Sequence, residues 1–127
     1  MSTGKKVMIV EDSQTERYEV KMIIGKLGVG VVEAANELGM FNSIEEYGQC
    51  VDLIIMDLSL KNENGLELIE KLKQSKKYSS IPILILTEYA DKGNVLRARE
   101  LGVIGFLKKP IQKDELLDRV KTVLQIL

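Results

Sequence analysis

The stretch VDLIIMDLSLKNENG, residues 51–65, sets an apolar run, Leu53 to Met56, between two carboxylates. Asp52 separates the run from Val51, and Asp57 ends it abruptly, with Leu58 and Leu60 close behind. A short run this apolar reads as a strand buried on both faces, the pattern of a central strand in a parallel sheet. Its terminal carboxylate therefore needs a reason.

Outward from this run the chain alternates. KVMIV (6–10) is a first apolar strand, and SQTERYEVKMIIGKL follows with Val20, Ile23, Ile24 and Leu27 at helical spacing. Ser13 with Glu16 forms a capping-box pattern, and Gly28 is a helix stop. VGVVEAA (29–35) is a second strand, residues 37–47 a short helix, and DLIIM (52–56) the third strand. Asn64 opens a helix whose Leu66, Ile69 and Leu72 share a face; Pro82 begins the fourth strand, PILIL. A helix over about 92–101 has Val95, Leu96, Ala98 and Leu101 as its buried candidates. GFLK (105–108) is a fifth strand, and a helix over 113–126 carries a stripe of Leu116, Leu117, Val120, Val123, Leu124 and Leu127. Strands alternating with helices predict an α/β fold: a doubly wound parallel sheet in three layers, with five strands and five helices in one domain over 1–127.

In such a sheet the chemistry lies beyond the carboxyl ends of the strands. Strand one ends in Glu11 and Asp12, strand three in Asp57, strand four in Thr87, and strand five in Lys108, Lys109 and Pro110. Singly, each has a commoner role: Asp12 as a helix cap, Thr87 as a hydroxyl bonded to backbone, Lys109 as a solvated cation, Phe106 as a core aromatic. Their joint placement on one rim overrides those readings. Crowded carboxylates repel, and a hard divalent cation with oxygen ligands relieves the conflict. A carboxylate beside a cation, a lysine and a hydroxyl has what a transferring phosphoryl group requires, and can itself be the nucleophile.

Composition narrows the alternatives. The chain is 45% apolar and 29% charged with a net charge of -1, an ordinary globular balance without the basic excess of a sequence-independent nucleic-acid binder. It has no histidine and a single cysteine, Cys50, which excludes the usual zinc sites, histidine-dependent nucleophiles and an intrachain disulfide. One cysteine suits a reducing compartment. The apolar runs fall far short of a membrane span, and MSTGKK does not begin a signal peptide. A flavodoxin-like flavin binder needs a Ser/Thr/Gly-rich loop where EDSQTER stands; a dinucleotide fold needs G-x-G-x-x-G; a haloacid-dehalogenase-like phosphatase needs D-x-D. None is present.

Across its whole length the chain resembles the receiver domain of two-component response regulators, of the chemotaxis-regulator kind. The resemblance rests on VMIVEDS, DLIIMDLSLKNENG, ILILT and GFLKKP in that order. It implies the strand order 2-1-3-4-5 and Asp57 as a phosphoacceptor that takes its phosphoryl group from a sensor histidine kinase or histidine phosphotransfer protein. It implies Mg²⁺ (or Mn²⁺) held by Glu11, Asp12, Asp57 and the Ser59 backbone carbonyl. Lys109 pairs with the acceptor and then with the phosphoryl oxygens, and Thr87 and Phe106 are the switch pair. The expected output is a change in the face of helix four, strand five and helix five, read by a downstream protein effector in the cytoplasm. Direct nucleic-acid or membrane binding is not expected, and dimerisation through that face is left open. The phosphotransfer and its reversal are self-catalysed, so the domain is a switch and not an enzyme in the ordinary sense. Gln14, Arg17, Tyr18 and Lys21 on helix one are expected to face the kinase.

Three residues depart from the family pattern. Glu88 replaces a small residue after the switch threonine and either crowds the phosphoryl site or turns into solvent. Lys61 and Glu63 stand where proline and an apolar residue are common, which predicts a more mobile or more polar loop. Ser59 and Tyr89 occupy variable positions. The competing reading is a pseudo-receiver, an interaction module independent of phosphorylation. The intact set Glu11, Asp12, Asp57, Thr87 and Lys109 favours the active form. A helix at the end of the chain leaves open both a stand-alone receiver and a domain of a longer protein.

Overall fold

The computed structural model describes residues 2–126. Leu127, placed in the last apolar stripe from sequence, lies outside the described residues. The elements are β1 (Lys6–Val10), α1 (Gln14–Gly25), β2 (Gly30–Ala34), α2 (Glu37–Tyr47), a 3₁₀ turn (Gly48–Cys50), β3 (Leu53–Met56), β4 (Ser59–Leu60), β5 (Glu63–Asn64), α3 (Gly65–Gln74), β6 (Ile83–Thr87), α4 (Lys92–Glu100), β7 (Gly105–Lys108) and α5 (Lys113–Leu124). The main sheet is parallel, in the order β2-β1-β3-β6-β7. This is the expected 2-1-3-4-5 order; β6 and β7 are the predicted fourth and fifth strands. The two-residue strands β4 and β5 form a separate antiparallel hairpin that apolar patterning did not reveal.

Alternation along the strands divides the core in two. Met8, Val10, Ile54, Met56, Ile83 and Ile85 meet α2, α3 and α4, whereas Val7, Ile9, Leu53, Ile55, Leu84 and Leu86 meet α1 and α5. With helices on both faces, neither set of strand residues reaches water, which is why these strands read as unbroken apolar runs. The chain leaves β1 for β2 on one side and returns to β3 on the other. The topological switch point, and the crevice it creates, therefore lie between the ends of β1 and β3.

Several boundaries differ from the sequence reading for identifiable reasons. Asp52 lies outside β3. Its Oδ2 accepts the Lys6 N–H at 2.9 Å and its own N–H donates to the Lys6 carbonyl at 2.8 Å, so it clamps the start of β1. Helix α1 ends at Gly25, three residues before Gly28, which takes a left-handed φ of 75° in the turn that follows. On α3 the buried residues are Leu68, Ile69 and Leu72, with Leu66 half-buried at the edge. On α4 only Ala98 is buried; Leu96 is 52% exposed, because α4 lies on the sheet through a narrow face.

The segment after β3 is held from several directions. Leu58 and Leu60 are buried in the core. Asn64 caps α3 by accepting the Leu66 N–H at 2.9 Å, and the Gly65 N–H donates to the Leu58 carbonyl. A Cβ on Gly65 would stand 2.5 Å from the Asp57 carbonyl oxygen and 2.7 Å from the Leu58 Cα. Backbone atoms cannot yield as a flexible side chain can. Gly65→Ala is therefore expected to destabilise the fold by about 1–3 kcal/mol, as overpacking does. Gly25→Ala, where a Cβ meets open space at the end of α1, is expected to be neutral or stabilising. Urea denaturation of the two variants checks this contrast.

Candidate functional site

Backbone ladders continue one residue past the strand ends and fix the site. The Glu11 N–H donates to the Ala34 carbonyl at 3.0 Å, the Asp57 N–H to the Val10 carbonyl at 3.1 Å, and the Lys109 N–H to the Thr87 carbonyl at 2.8 Å. Glu11 and Asp57 thus emerge side by side at the switch point, and Lys109 is locked to Thr87 across β6 and β7. These four, Glu11, Asp57, Thr87 and Lys109, are the buried polar and charged residues of the described chain.

The Lys109 ammonium joins them. Its Nζ donates to Glu11 Oε1 at 2.6 Å, to Glu16 Oε1 at 2.9 Å and to Asp57 Oδ2 at 3.0 Å. The other Asp57 oxygen accepts the Ser59 N–H at 3.1 Å, and Glu11 Oε2 accepts the Ser13 N–H at 3.2 Å. One cation among three carboxylates leaves an excess of negative charge. Burial pushes the Glu11 carboxyl up to about 7; the hydrogen bond from Lys109 opposes this, and the charge of Asp57 adds to it. Burial alone would lower the Lys109 ammonium, but its bonds to Glu11, Glu16 and Asp57 outweigh that and raise it. Removing one of the buried members, Glu11, Asp57 or Lys109, strands its partners at a cost of about 3–5 kcal/mol.

Glu16 was assigned from sequence to a capping box. Only half of that box forms: Ser13 Oγ accepts the Glu16 N–H at 3.2 Å, but the Glu16 carboxylate turns to Lys109. No pattern within α1 could reveal this, since its partner lies 93 residues away. Arg17, expected to face the kinase, also has partners within the chain. Its Nη1 donates to the Glu11 carbonyl at 2.7 Å and its Nε to Glu33 at 3.1 Å, leaving the side chain 16% exposed. Lys21 pairs with Glu33 as well, whereas Tyr18 and Gln14 are exposed.

The remaining candidates sit around the cluster. Asp12 is exposed and does not cap α1; its Oδ2 accepts the Lys61 N–H at 2.7 Å. Ser59 lies in the β4–β5 hairpin, opposite Asn64. The buried Thr87 hydroxyl accepts the Tyr89 N–H at 3.3 Å and so faces its own loop. Phe106 is half-buried; with Val95, Ala98 and Val103 it lines a groove of about 180 Å³ between β7 and α4. Glu88 is exposed and forms no ion pair among the described residues. The loop expected to be more mobile or more polar uses its polar groups as tethers: Asp12 holds the Lys61 N–H, and Glu63 Oε1 accepts the Glu37 N–H at 2.7 Å, at the start of α2 where the helix dipole favours a carboxylate.

The donor set of Glu11, Asp12, Asp57 and the Ser59 carbonyl is all oxygen, the chemistry of a hard divalent cation. Among the described residues no three acidic side chains are grouped to hold a metal ion as they stand, because Asp12 is turned to the loop and the Lys109 ammonium occupies the point that Glu11, Glu16 and Asp57 share. Also among the described residues, no helix is long and apolar enough to cross a membrane.

Comparison with known proteins agrees with this architecture. The family model for the response regulator receiver domain matches residues 7–121. The chain is 31% identical over 120 residues to a chemotaxis protein CheY homolog of Campylobacter jejuni, covering 94% of this chain and 92% of that protein. It is also 31% identical to the response regulator PleD of Caulobacter vibrioides, but spans only 26% of PleD's length. Among solved structures, the non-phosphorylated HemR receiver domain of Leptospira biflexa superposes with a TM-score of 0.86 at 28% identity, covering 97% of this chain and 96% of that one. With that coverage, and with the buried acidic and basic groups at the ends of β1, β3 and β7, the chain belongs to the response regulator receiver domain family.

Proposed function

We propose that this receiver domain, a single unit over 1–127, takes a phosphoryl group onto Asp57 from the phosphohistidine of a sensor kinase or phosphotransfer protein. The observation that carries this reading is the buried Lys109 ammonium donating directly to the Asp57 carboxylate at the sheet's switch point. In the transfer an Asp57 oxygen bonds to phosphorus, the phosphorus–nitrogen bond breaks, and the imidazole nitrogen leaves with the electron pair. Lys109 is placed to neutralise charge on the phosphoryl oxygens, and the Ser59 N–H orients the attacking carboxylate. Glu11, Asp12, Asp57 and the Ser59 carbonyl would hold Mg²⁺ or Mn²⁺. When bound, that cation supplies positive charge to offset the crowded carboxylates and the incoming phosphoryl group.

The same arrangement supports a switch. Thr87 is tied to Lys109 through the backbone, and among the described residues its hydroxyl bonds the Tyr89 N–H alone. A phosphoryl group on Asp57 offers that hydroxyl a charged acceptor and draws in the loop after β6. Phe106, beside the groove under α4, then has room to move, which changes the α4–β7–α5 face. Leu96 and Ile104, 52% and 41% exposed, supply apolar contact there for a downstream protein. The setting of this exchange is the cytoplasm.

Intact mass after incubation with acetyl phosphate and Mg²⁺ tests the acceptor. One phosphoryl adduct is expected on the wild type and none on Asp57→Asn; no adduct on either favours the pseudo-receiver. Thr87→Ala is expected to accept the group but to lose the difference between partner pull-downs made with and without beryllofluoride. A further expectation concerns pH. Glu11 binds its proton more tightly folded than unfolded, so its contribution to stability is full below pH 4.5 and is lost as pH rises through about 7. In EDTA the urea midpoint should fall between pH 5 and 7.5, and Glu11→Gln should flatten that slope.

A further inference from the structure

We propose that Glu16 is a positioning residue of the acceptor site: its carboxylate holds Lys109 toward α1 and competes with the incoming phosphoryl group for that ammonium, limiting how fast Asp57 is loaded. This rests on Asp57 being the acceptor.

An ammonium has three donors and no acceptor. All three of Lys109 are engaged, by Glu11, Glu16 and Asp57. A phosphoryl oxygen can gain Lys109 only when one of these lets go. The Glu11 and Asp57 side chains are 5% and 8% exposed, and releasing either would leave a buried carboxylate without its partner. The Glu16 side chain is 42% exposed, so water can replace the ammonium there at the least cost. Until it is released, Glu16 occupies a donor and adds a negative charge beside the path of an anionic group.

The placement of Glu16 is built into the fold. Arg17 fastens the first turn of α1 to the Glu11 carbonyl, at the end of β1. The cap of α1 does not use the Glu16 side chain, because Ser13 Oγ takes the backbone N–H of Glu16 and the Ser13 N–H goes to Glu11. Replacing the carboxylate therefore leaves the helix cap in place. Glu88, the acidic residue after Thr87, is exposed and among the described residues forms no hydrogen bond or ion pair with Lys109, so it serves as the control.

The test compares the full chain with Glu16→Gln, Glu16→Ala and Glu88→Ala. In EDTA and without phosphodonor, the Lys109 side-chain NMR resonances are expected to move in both Glu16 variants and not in Glu88→Ala. With Mg²⁺ and acetyl phosphate, adduct formation followed by intact mass should be about two- to fivefold faster in both Glu16 variants, the range expected for a partly exposed ion pair, and unchanged in Glu88→Ala. Unmoved Lys109 resonances, or loading no faster than wild type, overturn the proposal while leaving Asp57 as the acceptor. An adduct on none of the four proteins overturns both, and is recognised because the wild type also stays unmodified.

Discussion

A single, largely buried ammonium holds the carboxyl rim of this sheet together. Lys109 reaches Glu11 from β1, Glu16 from α1 and Asp57 from β3, while its own backbone is bound to Thr87 at the end of β6. Four elements thus meet at one charge. In low-dielectric surroundings such a contact is strong when complete and costly when broken, so the rim behaves as a unit. The imbalance of three carboxylates against one ammonium also leaves a site ready to accept more positive charge. That is a physical basis for a divalent cation beside a phosphoacceptor.

The sheet places this cluster at one rim. Parallel strands bring every carboxyl end to one rim, and the reversal of strand order between β1 and β3 opens a crevice there. Buried apolar residues on both faces give the strands a rigid register, and the backbone bonds extending beyond them carry that register to Glu11, Asp57 and Lys109. The Asp57 backbone is held in that register, while the side chains around it, those of Thr87, Glu16 and Asp12, are each joined by a single hydrogen bond. A fixed centre with exchangeable neighbours suits a switch better than a lock.

The loop after β3 shows how departures from a family pattern can be absorbed. Lys61 contributes its backbone N–H to Asp12, and Glu63 turns its carboxylate onto the first turn of α2. Asn62 takes the left-handed φ of 62° that the hairpin turn between β4 and β5 requires, which asparagine tolerates better than most residues. These polar residues supply tethers, joining the loop after β3 to both the β1 end and α2.

The sequence alone determined the parallel sheet, because period-two burial on two faces leaves continuous apolar runs that nothing else in the chain imitates. It also marked the polar strand ends: Glu11, Asp57 and Thr87 directly follow such runs, Lys109 follows one residue later, and all four prove to be buried on the same rim. Only the tertiary structure decided where side chains with several possible partners turn. Asp52 read as part of β3 but clamps β1; Glu16 read as a cap partner but reaches Lys109; Arg17 read as a surface contact but fastens α1 to β1. The reason is physical. Burial of an apolar residue follows from local periodicity, whereas a long polar side chain pairs with whatever charge the fold brings near, and in these three cases that charge comes from another element.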